Sequence, residues 1–191
     1  SLVGVWELYV RLSGISPVTL PAPSRVAASG WRVRETLFDH GLITFQEAII
    51  GLAFSIVFAI VMALLIDAIA PLRRAVYPLM VGSQTIPVIV ITPLLIIWFG
   101  FGLTPKIIVI TLYTFFPITV AFAQGLASTE RDALTLMKSL GASRLQTLRL
   151  LKIPYALPYF FTGLRIAVTY AVVGAVFAEW SGAQEGLGIY V

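Results

Sequence analysis

An all-α, polytopic membrane protein is the fold class this sequence predicts: 59% of its residues are hydrophobic, 12% are charged and its mean hydropathy is +0.95. Those are values for a chain whose solvent is lipid, where every backbone polar group must find a partner inside its own segment. A second observation is a series of apolar runs near the roughly 20 residues that a spanning helix needs. A third is that basic residues gather in the short connections, which reads as topology rather than as a nucleic-acid surface.

The first run, from Ser1 to about Ile15, is short for a span. It starts without Met and lacks a basic region followed by a small-residue cleavage site, so it reads as the tail of a span rather than a signal peptide. The stretch 16–43, with Arg25, Arg32 and Arg34 partly offset by Glu35 and Asp39, falls on the outer side. A full span follows over 45–70. Its Gly51, Ser55, Ala59 and Ala63 recur every fourth residue, a small-residue stripe along which helices approach closely. Glu47 and Asp67, near its two ends, read as interfacial.

The next span, 76–99, contains Ser83, Gln84 and Thr85 beside Pro87, with Pro93 further on. Each proline removes a donor and frees a carbonyl, which lipid cannot satisfy. The break predicts either a packing kink or the wall of a wet solute pathway. A further span covers 107–127 and the last covers 157–178, again with a small stripe of Gly163, Ala167, Ala171 and Ala175. Arg165 in that span reads as a structural arginine that snorkels to the inner interface. Glu179 and Trp180 at its outer end are pathway candidates, or an interfacial anchor with a solvated acid.

Arg73 and Arg74, and then Arg131, Lys138, Arg144, Arg149 and Lys152, place the 71–75 and 128–156 connections in the cytoplasm. The second of these is the most informative segment. Thr129 reads as the N-cap of a helix that carries acids in its first turn. Gly141 fits the positive-φ position just beyond that helix, and Ser143 with Gln146 forms an S-x-x-Q capping box for a second helix leading to Pro154. Helix, glycine corner and helix make a rigid cytoplasmic knob; an amphipathic hairpin lying on anionic lipid is the alternative.

Around Gly141 the residues resemble the permease subunits of bacterial binding-protein-dependent ABC importers. Their signature loop has an EAA triplet, a Gly four residues after it, and I-x-L-P nine residues beyond. Here Leu151-Lys152-Ile153-Pro154 matches in spacing, while Thr135-Leu136-Met137 replaces the triplet. Thr44 to Gly51, WFGFG at 98–102 and Ala178-Glu179-Trp180 through Gly186-Leu187-Gly188 extend the resemblance over nearly the whole chain. The branch that it resembles carries nitrate, sulfonates, taurine and precursors of thiamine or riboflavin. Ser83 to Pro87 and Phe177 to Trp180 are most similar to permeases for hydroxymethylpyrimidine-type precursors or riboflavin.

The resemblance implies a MetI-like ABC permease bundle of about five to six transmembrane helices with a cytoplasmic coupling helix, in the bacterial inner membrane. On that reading residues 1–191 are one transmembrane domain truncated at both ends. It implies a non-catalytic subunit that holds no cofactor, with ATP and Mg bound by partner ATP-binding subunits. An extracytoplasmic solute-binding protein and a second permease subunit, a homodimer, complete the set. Ser139, Leu140, Gly141, Ala142, Ser143, Arg144 and Pro154 are the ATPase-coupling candidates; Ser83, Gln84, Thr85, Pro87, Glu179 and Trp180 are the pathway candidates.

Two other classes compete. An ion-coupled secondary transporter or channel needs carboxylates at mid-span, and the sequence places none there. An intramembrane enzyme needs a Ser–His set or an acid pair, whereas the single histidine, His40, lies outside the spans. No cysteine is present, which removes thiolate metal sites, and no metal is expected. The chain has no Walker lysine motif, so the energy for transport must come from a partner.

Overall fold

The structure, a computed structural model, describes residues 2–83, 85, 87–181 and 183–190. It forms two compact units, Ser1–Leu42 and Ile43–Val191. In the first, α1 (Leu2–Ser13) and α2 (Pro23–Arg32) are tied through Glu7. Its carboxylate accepts from the backbone N–H of Ser24 (3.0 Å), the Ser24 hydroxyl (2.7 Å) and the Arg11 guanidinium (2.8 Å). A proline opens α2, where its missing donor is no loss.

The second unit takes in most of α3 (Arg34–Ala68), then α4 (Ala70–Ser83), α5 (Val88–Phe99), α6 (Leu103–Ala127), α7 (Arg131–Ser139), α8 (Arg144–Thr147) and α9 (Ile153–Trp180). Leu148–Lys152 widens into a π-helical turn, so that Arg144–Trp180 runs on as 37 helical residues. A short 3₁₀ turn, Leu187–Tyr190, follows. Among the described residues three helices are long and apolar enough to cross a membrane: Arg34–Ala68, Leu103–Ala127 and Arg144–Trp180.

Between the long helices the expected 76–99 span arrives as two pieces. α4 stops at Ser83, and Pro87 stands as the N-cap of α5, so the prolyl break ends one helix and starts another. Pro78 and Pro93 lie inside these helices without ending them.

Both small-residue stripes are buried and act as helix contacts. Gly51, Ser55, Ala59 and Ala63 of α3 are buried, and a Cβ on Gly51 would stand 2.6 Å from Ile110 of α6. Gly163, Ala167, Ala171 and Ala175 of α9 are buried too, and a Cβ on Gly163 would meet the Pro117 carbonyl at 2.6 Å. Small residues let the backbones come together and leave room for bulky neighbours, here Ile110, Phe115 and Ile118. Stacked Tyr113 and Tyr170 (5.0 Å) and edge-on Phe122 and Phe160 (5.6 Å) complete the α6–α9 seam.

Thr129 does not cap α7, whose N-cap is Glu130 with no side-chain bond. It is buried, and its hydroxyl donates to the Leu126 carbonyl at 3.1 Å, closing the end of α6 instead. The pattern Thr-Glu-Arg-Asp reads as a start because it follows a turn. The preceding helix had carbonyls to satisfy first.

Candidate functional site

Two polar regions interrupt the apolar body of Ile43–Val191. At one, α3 contributes Thr44 and Glu47, α6 contributes Lys106 in its first turns, and α9 ends on Glu179. The Lys106 ammonium donates to Glu47 Oε1 at 2.6 Å and reaches the Glu185 carbonyl at 3.5 Å. The Thr44 hydroxyl donates to Glu179 Oε1 at 2.7 Å and accepts from the Leu187 N–H at 2.9 Å. The Gly188 N–H donates to Glu179 Oε2 at 2.6 Å. Glu47 Oε2 is buried without a hydrogen bond among the described residues, and the Glu179 carboxyl is close enough to feel its charge.

Burial leaves this network dependent on its own members. Glu179 is 1% exposed and Glu47 4%, so each charge depends on its partners rather than on water. The two glycines of the GLG segment explain how the backbone gets so near. A Cβ on Gly186 would lie 2.2 Å from the Glu179 carboxyl carbon, and one on Gly188 would lie 2.7 Å from the Val176 carbonyl. Thus the end of α9, the turn after it, α3 and α6 are locked together.

Both acids that read as interfacial from their places near the ends of a span are engaged. Glu47 is half of a buried ion pair. Asp67 at the other end of α3 is likewise engaged, accepting two bonds from Lys152 at 2.5 and 2.6 Å. A cleft of about 560 Å³ opens beside the network, lined among others by Gln46, Glu47, Phe101, Lys106, Gln184 and Glu185.

The second region is the α6–α9 connection. At the end of α7 the Ala142 N–H donates to the Met137 carbonyl and the Gly141 N–H to the Lys138 carbonyl, both at 3.0 Å, while Gly141 has φ +73°. This paired closure needs a left-handed residue, which glycine supplies cheaply. Ser143 then accepts from the Gln146 N–H (3.2 Å), and the Gln146 side chain accepts from the Ser143 N–H (2.8 Å). The corner is stiff because its ends are satisfied locally. Its apolar side chains are not covered: Leu136, Leu140, Leu145 and Leu150 are 60%, 72%, 55% and 70% exposed.

Ser139, Leu140, Gly141, Ala142, Ser143 and Arg144 come together in this one corner, and Pro154 lies beyond the π turn at the start of α9. The pathway candidates fall in two places. Thr85 and Pro87 belong to the α4–α5 break, where the Thr85 hydroxyl donates to the Gly82 carbonyl at 2.7 Å. Gln84 and the side chain of Ser83 lie outside the described residues. Glu179 belongs to the buried network, and Trp180 beside it is 45% exposed, edge-on to Phe177 at 5.1 Å.

Sequence reading missed Thr44, Glu47, Lys106 and Leu187–Gly188 as one unit. The signals were present as T-x-x-x-x-x-x-G and AEW-to-GLG, but nothing local says that they meet. Among the described residues no three His, Cys, Asp or Glu side chains gather as metal ligands.

Residues 51–191 match the family described as binding-protein-dependent transport system inner membrane component. Over 190 residues the chain is 45% identical to the formylaminopyrimidine transport permease protein ThiX of Halalkalibacterium halodurans, covering 99% of this chain and 76% of that protein. It is 35% identical over 192 residues to the riboflavin transport system permease protein RibX of Chloroflexus aurantiacus, covering all of this chain and 72% of that one. With the taurine transport system permease protein TauC of Escherichia coli it shares 32% identity over 197 residues, at the same coverage of 100% and 72%.

Proposed function

Given that the chain belongs to the binding-protein-dependent transport system inner membrane components, as a multi-pass permease subunit of an ABC importer, we propose that its solute is a small aminopyrimidine used as a thiamine precursor. The observation that carries this choice is the 45% identity, across 99% of the chain, to a permease whose name specifies formylaminopyrimidine. The riboflavin and taurine permeases are more distant at 35% and 32%. Riboflavin is therefore the second reading, ahead of sulfonates, taurine and nitrate.

On this proposal the permease is non-catalytic and works with ATP-binding subunits, an extracytoplasmic solute-binding protein and a second copy of itself. The connection 128–156 faces the cytoplasm and meets the ATPase. Its exposed Leu136, Leu140, Leu145 and Leu150 on a locally closed corner support this, since a rigid apolar knob suits a cleft in a partner. The corner joins α6 and α9 directly, so movement of the ATPase reaches the membrane helices as a rigid-body displacement.

Ion-coupled transport calls for an acid deep in a span, and the sequence places none there. The structure does bury Glu47 and Glu179. They are held by Lys106, Thr44 and the Gly188 N–H, as a structural tie is, and family membership carries the importer reading.

The test is ATP hydrolysis by the full-length permease reconstituted with its ATPase and receptor, titrated with formylaminopyrimidine, hydroxymethylpyrimidine, riboflavin, taurine and nitrate. Stimulation by the pyrimidines supports the proposal. Stimulation by riboflavin, taurine or nitrate alone replaces the solute and leaves the importer.

A further inference from the structure

Arg165 stands near the middle of α9, in a run with no other charge before Glu179, and its side chain is exposed. Lys152, paired with Asp67, lies thirteen residues before it, and Glu179, in the buried network, fourteen residues after it. At ~1.5 Å per residue these are separations of ~20 and ~21 Å along the helix. The two ionic layers are thus ~41 Å apart, about the thickness of a bilayer with its headgroups. Arg165 sits halfway between them. An arginine side chain is too short to reach either layer, so the snorkelling expected from sequence does not account for it.

The direction that Arg165 faces is fixed by its neighbours. It is two residues from both Gly163 and Ala167, about 200° around the helix from each, opposite the buried stripe. Thr162 and Thr169, one turn to either side, share its exposed face. Their hydroxyls donate to the Pro158 and Arg165 carbonyls (2.9 and 3.4 Å), leaving oxygen lone pairs outward. A charged group turned to hydrocarbon at that depth is strongly disfavoured, so the face meets water or protein.

A carboxylate is the strongest protein partner for an arginine, and the sequence has nine acids. Glu47, Asp67 and Glu179 are engaged in the two ionic layers. Glu7 is held by Arg11 and Ser24. Glu35 and Asp39 precede Glu47 on α3, Glu130 and Asp132 follow the end of α6, and Glu185 lies beyond α9. Among the described residues none of these acids pairs with Arg165.

We propose that Thr162, Arg165 and Thr169 line the water-filled solute pathway, with Arg165 as a solute-contacting, specificity-determining group. Its planar fork of donors suits a flat solute bearing ring-nitrogen or carbonyl acceptors, and it can stack on an aromatic ring. This inference rests on the permease reading.

The sequence has no cysteine, and the complex without an introduced cysteine, treated alike, gives the background. Thr162→Cys, Arg165→Cys and Thr169→Cys in the full complex, in lipid vesicles, are treated with a charged, membrane-impermeant thiosulfonate. All three are expected to react at least tenfold faster than Ala167→Cys on the buried face and Phe54→Cys on the apolar face of α3. Arg165→Gln should slow import of the stimulating solute at least tenfold, with Arg165→Lys recovering only part because an ammonium lacks the fork. Reaction at Thr162→Cys alone means that only one end is wet and overturns the proposal. So does uniform inertness, or wild-type import by Arg165→Gln. Should Arg165 variants fail to insert, the two threonine positions decide with the arginine intact. Absence of import by the unsubstituted complex is a separate result and counts against the permease reading.

Discussion

The Glu179 network and the Gly141 corner are both polar islands in an apolar chain, yet they satisfy their polar groups in opposite ways. At Glu179 the partners come from far apart in sequence, the Thr44 hydroxyl from 135 residues away and Lys106 reaching back 59 to Glu47, and burial removes water as an alternative. At Gly141 every bond closes within five residues, and the leucines around it stay exposed. One region holds the bundle together by tertiary contact. The other is complete on its own and leaves its apolar surface for something else. Stability should depend on the first and coupling to a partner on the second.

The hardest blow to this contrast would come from Lys106→Met, which leaves Glu47 buried without its cation. A loss of about 3–5 kcal/mol is expected, read as a large drop in the unfolding midpoint in detergent. Adding Glu47→Gln should restore part of it. A midpoint unchanged by Lys106→Met would show that the network is not what ties the helices.

Next in size is Gly186→Ala, whose new methyl would meet the Glu179 carboxyl carbon at 2.2 Å on a backbone with φ +119°. Overpacking of this kind costs about 1–3 kcal/mol. Gly30→Ala in α2, where nothing stands within 4 Å, serves as the control and should be neutral or slightly stabilising.

At the corner the expected change in stability is smaller and the change in function larger. Gly141→Val forces a β-branched residue into left-handed backbone at about 1–2 kcal/mol, while the bundle still inserts. Solute-stimulated ATP hydrolysis should fall at least tenfold, and Gly141→Asn should keep most of it. Equal stimulation by both variants would detach the corner from coupling.

The smallest effect belongs to Ser143→Ala, which removes one half of the capping box at about 1 kcal/mol. Faster amide exchange confined to residues 144–147 would show that the second helix is held locally. Spread of that change into α9 would mean the corner and the span share their stability.

Much of the corner was readable because its chemistry is local. Gly141 and the Ser143–Gln146 box follow from residue type and spacing alone. Thr129 shows the limit of such reading: the same threonine can cap the helix after it or close the helix before it, and the unsatisfied carbonyl of Leu126 decided. Asp67 and Glu47 mark another limit. Each reads as an interfacial group near a span end, and only the arrival of Lys152 and Lys106 makes it half of a shielded pair.

What the sequence by itself determined is therefore the apolar spans, the prolyl break before Val88, the small-residue stripes, the glycine corner and the family that these motifs resemble. All rest on composition, periodicity or residues within a turn of one another. Only the tertiary structure decided that Thr44, Glu47, Lys106, Glu179 and the GLG backbone form one unit, and that Arg165 lies between two ionic layers on the face opposite the packing stripe. The reason is physical: a charge reads as surface until packing excludes its water, and that exclusion depends on where distant helices come to rest.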